Sequence, residues 1–262
     1  MHFNFTTLEV LWTLTVAALL VLLVVLLGRD RVRSFPWFTA STALVVLRLL
    51  ASRELYGRLS PLTLSAIFNV LADLGAAVGI MVLVEMARRA FVGLHRHLWI
   101  VNTAGLVVAA CGVLAVWGPW PTWKTLTADS QLAALRLMEL FAQKTEVVSD
   151  LLSVGLGLAV VLVGRRYKAG WHSHVQRIVI GLAAVAIAKL SVQVVLERIA
   201  LTAAPHNQAE LDAILGLRDK IINANSVVFI AVVVWWIVCL WIDEPGAAAE
   251  QNAGAAGKNS AL

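Results

Sequence analysis

Arg136, Glu139, Gln143, Glu146 and Asp150 follow one another at steps of 3, 4, 3 and 4, a spacing that sets side chains in one stripe along a helix. Ser153 and Gly157 continue the stripe by the same steps, and Lys144 lies off it. The stripe runs into the apolar stretch "LLSVGLGLAVVLVG" (151–164). Ionisable groups that enter a bilayer on one helical face bind a polar ligand, carry ions or protons, or hold helices in register. A helix over 131–164 is roughly 51 Å long at 1.5 Å per residue, whereas the hydrocarbon layer is only about 30 Å thick. Arg136 and Glu139 can therefore stand at or above the headgroups. Glu146 is placed at the boundary near Thr145, and Asp150 below it.

Other stretches bring polar groups to a similar depth. Lys189, Gln193 and Glu197 recur every fourth residue, with Lys189 near the middle of its apolar run. Asn69 and Asp73 are one turn apart, Arg48 interrupts "ALVVLRLLA", and Asn223 and Asn225 follow Arg218, Asp219 and Lys220. A charge at the bilayer centre costs roughly 2.5–3.5 kcal/mol, while a Leu or Val returns only about 0.3–0.6. Lipid-facing placement is thus disfavoured, and Arg48, Asp73, Asp150 and Lys189 form a deep set of balanced sign. Asp150 and Asp73 are the candidate partners of Lys189. With Glu146, Gln193 and Asn223 they make the candidate ligand-binding or ion-pathway residues, lining a polar vestibule that opens outward and closes on an apolar cytoplasmic half. Glu85, one turn from Arg88 and Arg89, reads instead as half of a salt bridge at the cytoplasmic end.

The elements that position these groups follow from composition. The chain is 60% hydrophobic and 14% charged, with a mean hydropathy of +0.83. Soluble domains carry roughly a quarter charged residues, so most of this chain belongs in lipid. Backbone groups in lipid must be paired within the segment, which makes apolar runs of this length helices. The expected fold is all-α: a polytopic bundle of seven spans at about 8–28, 36–53, 63–89, 98–118, 131–165, 172–200 and 217–242, a single domain over 1–244. The breaks carry Gly28, Pro36, Pro61, "WGPWP" (117–121), Gly164 with Gly170, and Pro205. The tail 245–262, small and polar, reads as a disordered cytoplasmic end without an output domain. The N-terminus lacks a basic leader region, so the first span is kept.

Lys and Arg set the orientation. "GRDRVR" (28–33), "ARRAFVGLHRH" (87–97) and "GRRYK" (164–168) hold the basic residues of one set of connections, which places that set in the cytoplasm, the N-terminus outside and the C-terminus inside. The isoelectric point of about 9.6 is a topology signal on this reading and not a nucleic-acid footprint. Trp37, Trp99, Trp171 and Trp241 fall at the cytoplasmic ends and Trp117, Trp120 and Trp123 at the outer side, as interfacial belts do.

Chemistry of other kinds finds no pattern. Cys111 and Cys239 lie in apolar runs and read as small core residues. His95 with His97 and His172 with His174 are pairs without a third ligand, so no metal site is assigned and the histidines count toward cytoplasmic basicity. There is no G-x-S-x-G, P-loop or G-x-G-x-x-G opening a helix, so no catalytic residue and no cofactor are expected. The outline of seven spans with an outside N-terminus resembles a retinal protein, but that resemblance implies a lysine midway along the last span, and "NANSVVFIAVVVWWIVCLW" (223–241) has none. A sugar transporter of three-plus-one-plus-three spans would match "GRDRVRSFPW" and "GRRYKAGW" in position, without its Pro-Gln motif. "RSFPWF" (33–38) resembles uncharacterised bacterial membrane proteins, notably acidobacterial ones, which implies no activity.

The function expected from the sequence is a bacterial inner-membrane, multi-pass bundle that binds a small polar ligand from the outer side, a sensory protein acting through a membrane partner. An ion- or proton-coupled transporter using the same groups, and a non-catalytic scaffold subunit of a membrane complex, are the alternatives.

Overall fold

The computed structural model describes residues 6–91, 107, 110–113, 131–164, 173–202 and 207–242. The elements are helices: α1 (Thr7–Gly28), a short α2 (Arg31–Ser34), α3 (Pro36–Leu55), α4 (Pro61–Ala90), α5 (Gln131–Gly164), α6 (His174–Thr202) and α7 (Gln208–Trp241). No strand occurs among the described residues.

Four of the starts carry a local reason. Thr6 and Glu9 form a capping box on α1. Ser60 accepts from Thr63 N ahead of Pro61 at the first position of α4. The Ser173 hydroxyl accepts from Gln176 N, and Asn207 accepts from Glu210 N at 2.8 Å. That last cap starts α7 well before the expected 217. The segment 208–216 reads as connection because it lies within a mixture of acids and bases over 197–220, but nothing in it stops a helix that Asn207 has begun.

Five helices are long and apolar enough to cross a membrane: α1, α4, α5, α6 and α7, as a multi-pass membrane protein requires. α3 was expected as a span. It is helical, but Thr39, Ser41, Thr42, Arg48 and Ser52 dilute its apolar character, and it does not join the five. The Thr39 and Thr42 hydroxyls donate to the carbonyls one turn back, at 2.9 Å each. The expected span at 98–118 lies almost entirely outside the described residues, apart from helical positions at 107 and 110–113.

Packing order closes a ring. α1 packs on α3, α3 on α4, α4 on α5, α5 on α6, α6 on α7, and α7 back on α1. Sequential neighbours α1 and α3, α3 and α4, α5 and α6, and α6 and α7 run antiparallel, whereas α4 beside α5 and α7 beside α1 run parallel, and the ends lock in kind. At one end the Arg29 guanidinium stacks over Trp241 at 4.9 Å and Arg89 over Phe35 at 5.0 Å. At the other, Arg53 stacks over Trp12 at 4.8 Å. Such cation–π pairs suit interfacial positions, where one side is apolar and the other wet.

The core lies in the half toward Gly28, Pro36, Ala90, His174 and Trp241. Leu22, Leu26, Met86, Ile178, Val179, Val233 and Leu240 are fully buried there. Phe38 and Trp236 meet edge to face at 5.1 Å. Two glycines allow close approach. A methyl at Gly157 would overlap Ala183 across α5 and α6, and one at Gly181 would overlap the Trp236 indole. The outward faces of the ring carry Val24, Leu27, Leu162 and Val238, all exposed. Cys239 is buried as expected of a core residue, but Cys111 is exposed. His174 is also buried, at the first turn of α6, where it was expected in an open connection. His95, His97 and His172, with Trp99, Trp117, Trp120, Trp123 and Trp171, lie outside the described residues.

Candidate functional site

Beyond the core the ring does not fill. A cavity of about 220 Å³ lies on its axis, lined by residues of all six long helices. The space exists because α4 turns Ala72, Gly75, Ala76 and Gly79 toward it, side chains too small to reach the opposite wall. At its inner end are Leu19, Phe38, Phe229 and Trp236. At its other end are Arg48 from α3, Glu146 and Asp150 from α5, and Lys189 from α6. Counting from His174 at 1.5 Å per residue, Lys189 stands roughly 22 Å from the packed end.

The Lys189 ammonium donates to Glu146 Oε1 at 2.8 Å. The charges of Asp150 and Arg48 both act on this pair. The sequence reading put Asp150 or Asp73 against Lys189. Glu146 takes the hydrogen-bonded place, and Asp150, one turn further along α5, acts on the ammonium through its charge. Asp150 and Arg48 make no hydrogen bond and no close ion pair among the described residues. Ser149 and Ser153 also line the cavity, and the Ser153 hydroxyl is turned back to the Ser149 carbonyl at 2.8 Å.

Four of the seven candidate residues are thus brought together: Arg48, Glu146, Asp150 and Lys189. Asp73 is not. It lines a lateral groove of about 610 Å³ between α4 and α5, walled by Leu137, Met138, Leu140, Phe141, Lys144, Thr145 and Val148. Its Oδ1 and the Asn69 Nδ2 one turn earlier are buried without a hydrogen-bond partner among the described residues. Gln193 is exposed and Asn223 half-buried, and neither lines the cavity. The outer part of the α5 stripe also turns away. Gln143 donates to Glu139 at 3.5 Å on the exposed surface, and Ala142, not Gln143, faces the cavity.

A second buried charge has a different setting. Glu85 is 7% exposed. Its carboxylate accepts from Trp37 N at 3.2 Å and Phe38 N at 3.3 Å, and pairs with Arg89 at 3.4 Å. Those two N–H groups belong to the first turn of α3, whose own N-cap, Phe35, offers no side-chain acceptor. Glu85 therefore caps α3 from α4, with the helix dipole in its favour. The expected salt bridge with Arg89 is present, and the cap is the feature sequence reasoning missed. Its one visible sign is a helix start at Pro36 without Ser, Thr, Asp or Asn before the proline.

Among the described residues no three His, Cys, Asp or Glu side chains converge as metal ligands. Comparison with known protein families, curated proteins and solved structures found no match to this chain.

Proposed function

We propose that this protein is a seven-span bundle of the bacterial inner membrane, N-terminus outside, that binds a small charged ligand in the central cavity from the outer side. The observation that carries the reading is the company kept by the Glu146–Lys189 pair. Two further charges of opposite sign, Arg48 and Asp150, line the same cavity and are not consumed by hydrogen bonds. A network that served only to fix helix register would spend its charges on one another, since unpaired charge in low dielectric is costly. The orientation rests on Arg29, Arg31, Arg33, Arg88, Arg89 and Arg177, all at the packed end of the ring, which the positive-inside rule puts in the cytoplasm. The cavity charges then lie in the outer half.

A second reading is an ion- or proton-coupled transporter. It is favoured by Asp150, which acts electrostatically on Lys189 and offers the ammonium a second carboxylate beside Glu146. The test for both is a screen of small charged molecules by thermal unfolding of the full chain in lipid nanodiscs, run beside flux measurements in proteoliposomes. Stabilisation without flux supports a receptor, and flux of the stabilising molecule supports a transporter. Binding that survives a cavity-filling Ala76→Phe substitution would overturn the site.

A further inference from the structure

We propose that the cavity takes a small zwitterion with an apolar body: its carboxylate on Arg48, its ammonium on Asp150, and its hydrocarbon against Phe38, Phe229 and Trp236. This deepens the reading above and rests on it.

Charge balance comes first. Glu146 and Lys189 satisfy each other at 2.8 Å. What remains is one guanidinium and one carboxylate, each lining the cavity and each without a hydrogen bond or close ion pair among the described residues. A singly charged ligand would satisfy one and leave the other without a hydrogen-bond partner. A molecule bearing both an ammonium and a carboxylate satisfies both, through charge-assisted hydrogen bonds of the stronger kind.

Shape comes second. Besides the charged groups, the cavity is lined by Leu19, Phe38, Phe229 and Trp236, with Leu182 and Val185. Hydrophobic and aromatic lining with a few placed polar groups is the usual make-up of a small-molecule site. The volume, about 220 Å³, restricts the ligand to something small. Neutral amino acids with aliphatic or aromatic side chains have this chemistry: two opposite charges at one end and hydrocarbon at the other.

The test uses the full chain in lipid nanodiscs and reads thermal unfolding against L-alanine, L-valine, L-leucine and L-phenylalanine. For L-leucine, 3-methylbutylamine keeps the hydrocarbon and ammonium without the carboxylate, and 4-methylpentanoate keeps the hydrocarbon and carboxylate without the ammonium. At least one amino acid is expected to raise the unfolding midpoint. Its matched amine and acid are expected to bind at least about tenfold more weakly. Arg48→Gln should remove the penalty for lacking the carboxylate, and Asp150→Asn the penalty for lacking the ammonium. An amine or acid that binds the unaltered protein as well as the zwitterion overturns the proposal. So does a screen in which none of the four amino acids binds but another small molecule does; if Ala76→Phe blocks that molecule, the cavity reading stands while this one falls. If no small molecule binds at all, both fall. The comparison of analogues needs no variant, so a substitution that fails to fold does not rescue the proposal.

Discussion

Glu85 and Asp150 are two carboxylates on neighbouring helices of one ring, and they differ in what surrounds them. Glu85 is sealed among the packed ends of α3 and α4, where two backbone N–H groups and Arg89 use its oxygens. Asp150 is half-buried at a cavity wall, and among the described residues no donor uses its oxygens. The first is fully consumed by the fold. The second is held ready by it. The difference lies in the partner list, although both sit within helices long enough to cross a bilayer. Buried polar groups are normally satisfied, so a carboxylate that accepts no hydrogen bond among the described residues is the candidate for ligand contact.

The comparison breaks most visibly at Glu85. Glu85→Ala removes the cap of α3 and leaves two N–H groups without an acceptor. Hydrogen bonds to a charged group are worth about 1.5–3 kcal/mol and a lost cap about 1, so a loss of about 3 kcal/mol is expected in reversible unfolding. Ligand binding per folded molecule should be unchanged. A loss under about 0.5 kcal/mol, the range of ordinary surface substitutions, would mean that Glu85 does not hold α3.

Packing at the glycines comes next. Gly181→Ala drives a methyl into the Trp236 indole, and overpacking of this kind costs about 1–3 kcal/mol. Pairing it with Trp236→Phe should recover part of the loss in a double-mutant cycle. Purely additive losses would show that the two do not touch.

The Glu146–Lys189 pair should couple less strongly than its short distance suggests. Its side chains are 52% and 39% exposed, and exposed pairs give roughly 0.2–1 kcal/mol. A cycle through Glu146→Gln and Lys189→Gln is expected to return a coupling of about 1 kcal/mol. A coupling of 3 kcal/mol or more, the range for breaking a buried pair, would make the pair a structural element like Glu85.

Asp150→Asn should have the smallest effect on stability, within about 0.5 kcal/mol, and the largest effect on binding. Circular dichroism melts beside ligand titrations check both. A variant that unfolds as readily as Glu85→Ala would erase the distinction between the two carboxylates.

Much of the fold could be read from apolar runs and punctuation. Gly28, Pro36, Pro61, Gly164 and Trp241 mark helix ends within a residue or two, because nothing but a helix pairs the backbone in lipid. The start of α7 was not legible. Its first turns are polar and project beyond the apolar run, so only the Asn207 cap and the Glu210 N–H reveal them. Residues of the site were legible as types and depth, but not as faces. The stripe 136–139–143–146–150 marks one face, but the cavity wall is centred on Ala142, Glu146, Ser149 and Ser153, roughly 90° round the helix from Gln143 at 100° per residue. The stripe's inner members reach the cavity, while Gln143 and Glu139 do not line it. Asp73 shares the depth of Lys189 but not its direction, since α4 faces the cavity with Ala72, Gly75, Ala76 and Gly79. Small residues carry no charge signal, and only the order of helices in the ring shows what they make room for.

The central claim is that the charges in the cavity serve a ligand and not the register of the helices. The measurement is a combined Arg48→Leu, Glu146→Leu, Asp150→Leu and Lys189→Met variant, with thermal unfolding and ligand binding followed on the same preparation. Apolar replacement of a complete ion network is often neutral or stabilising. The variant is therefore expected to insert, to unfold at the parent's temperature or above it, and to lose the stabilisation given by any molecule that binds the parent. A variant that no longer folds would make the four charges a register device. One that folds and still binds would place the site elsewhere, and either result would contradict the account.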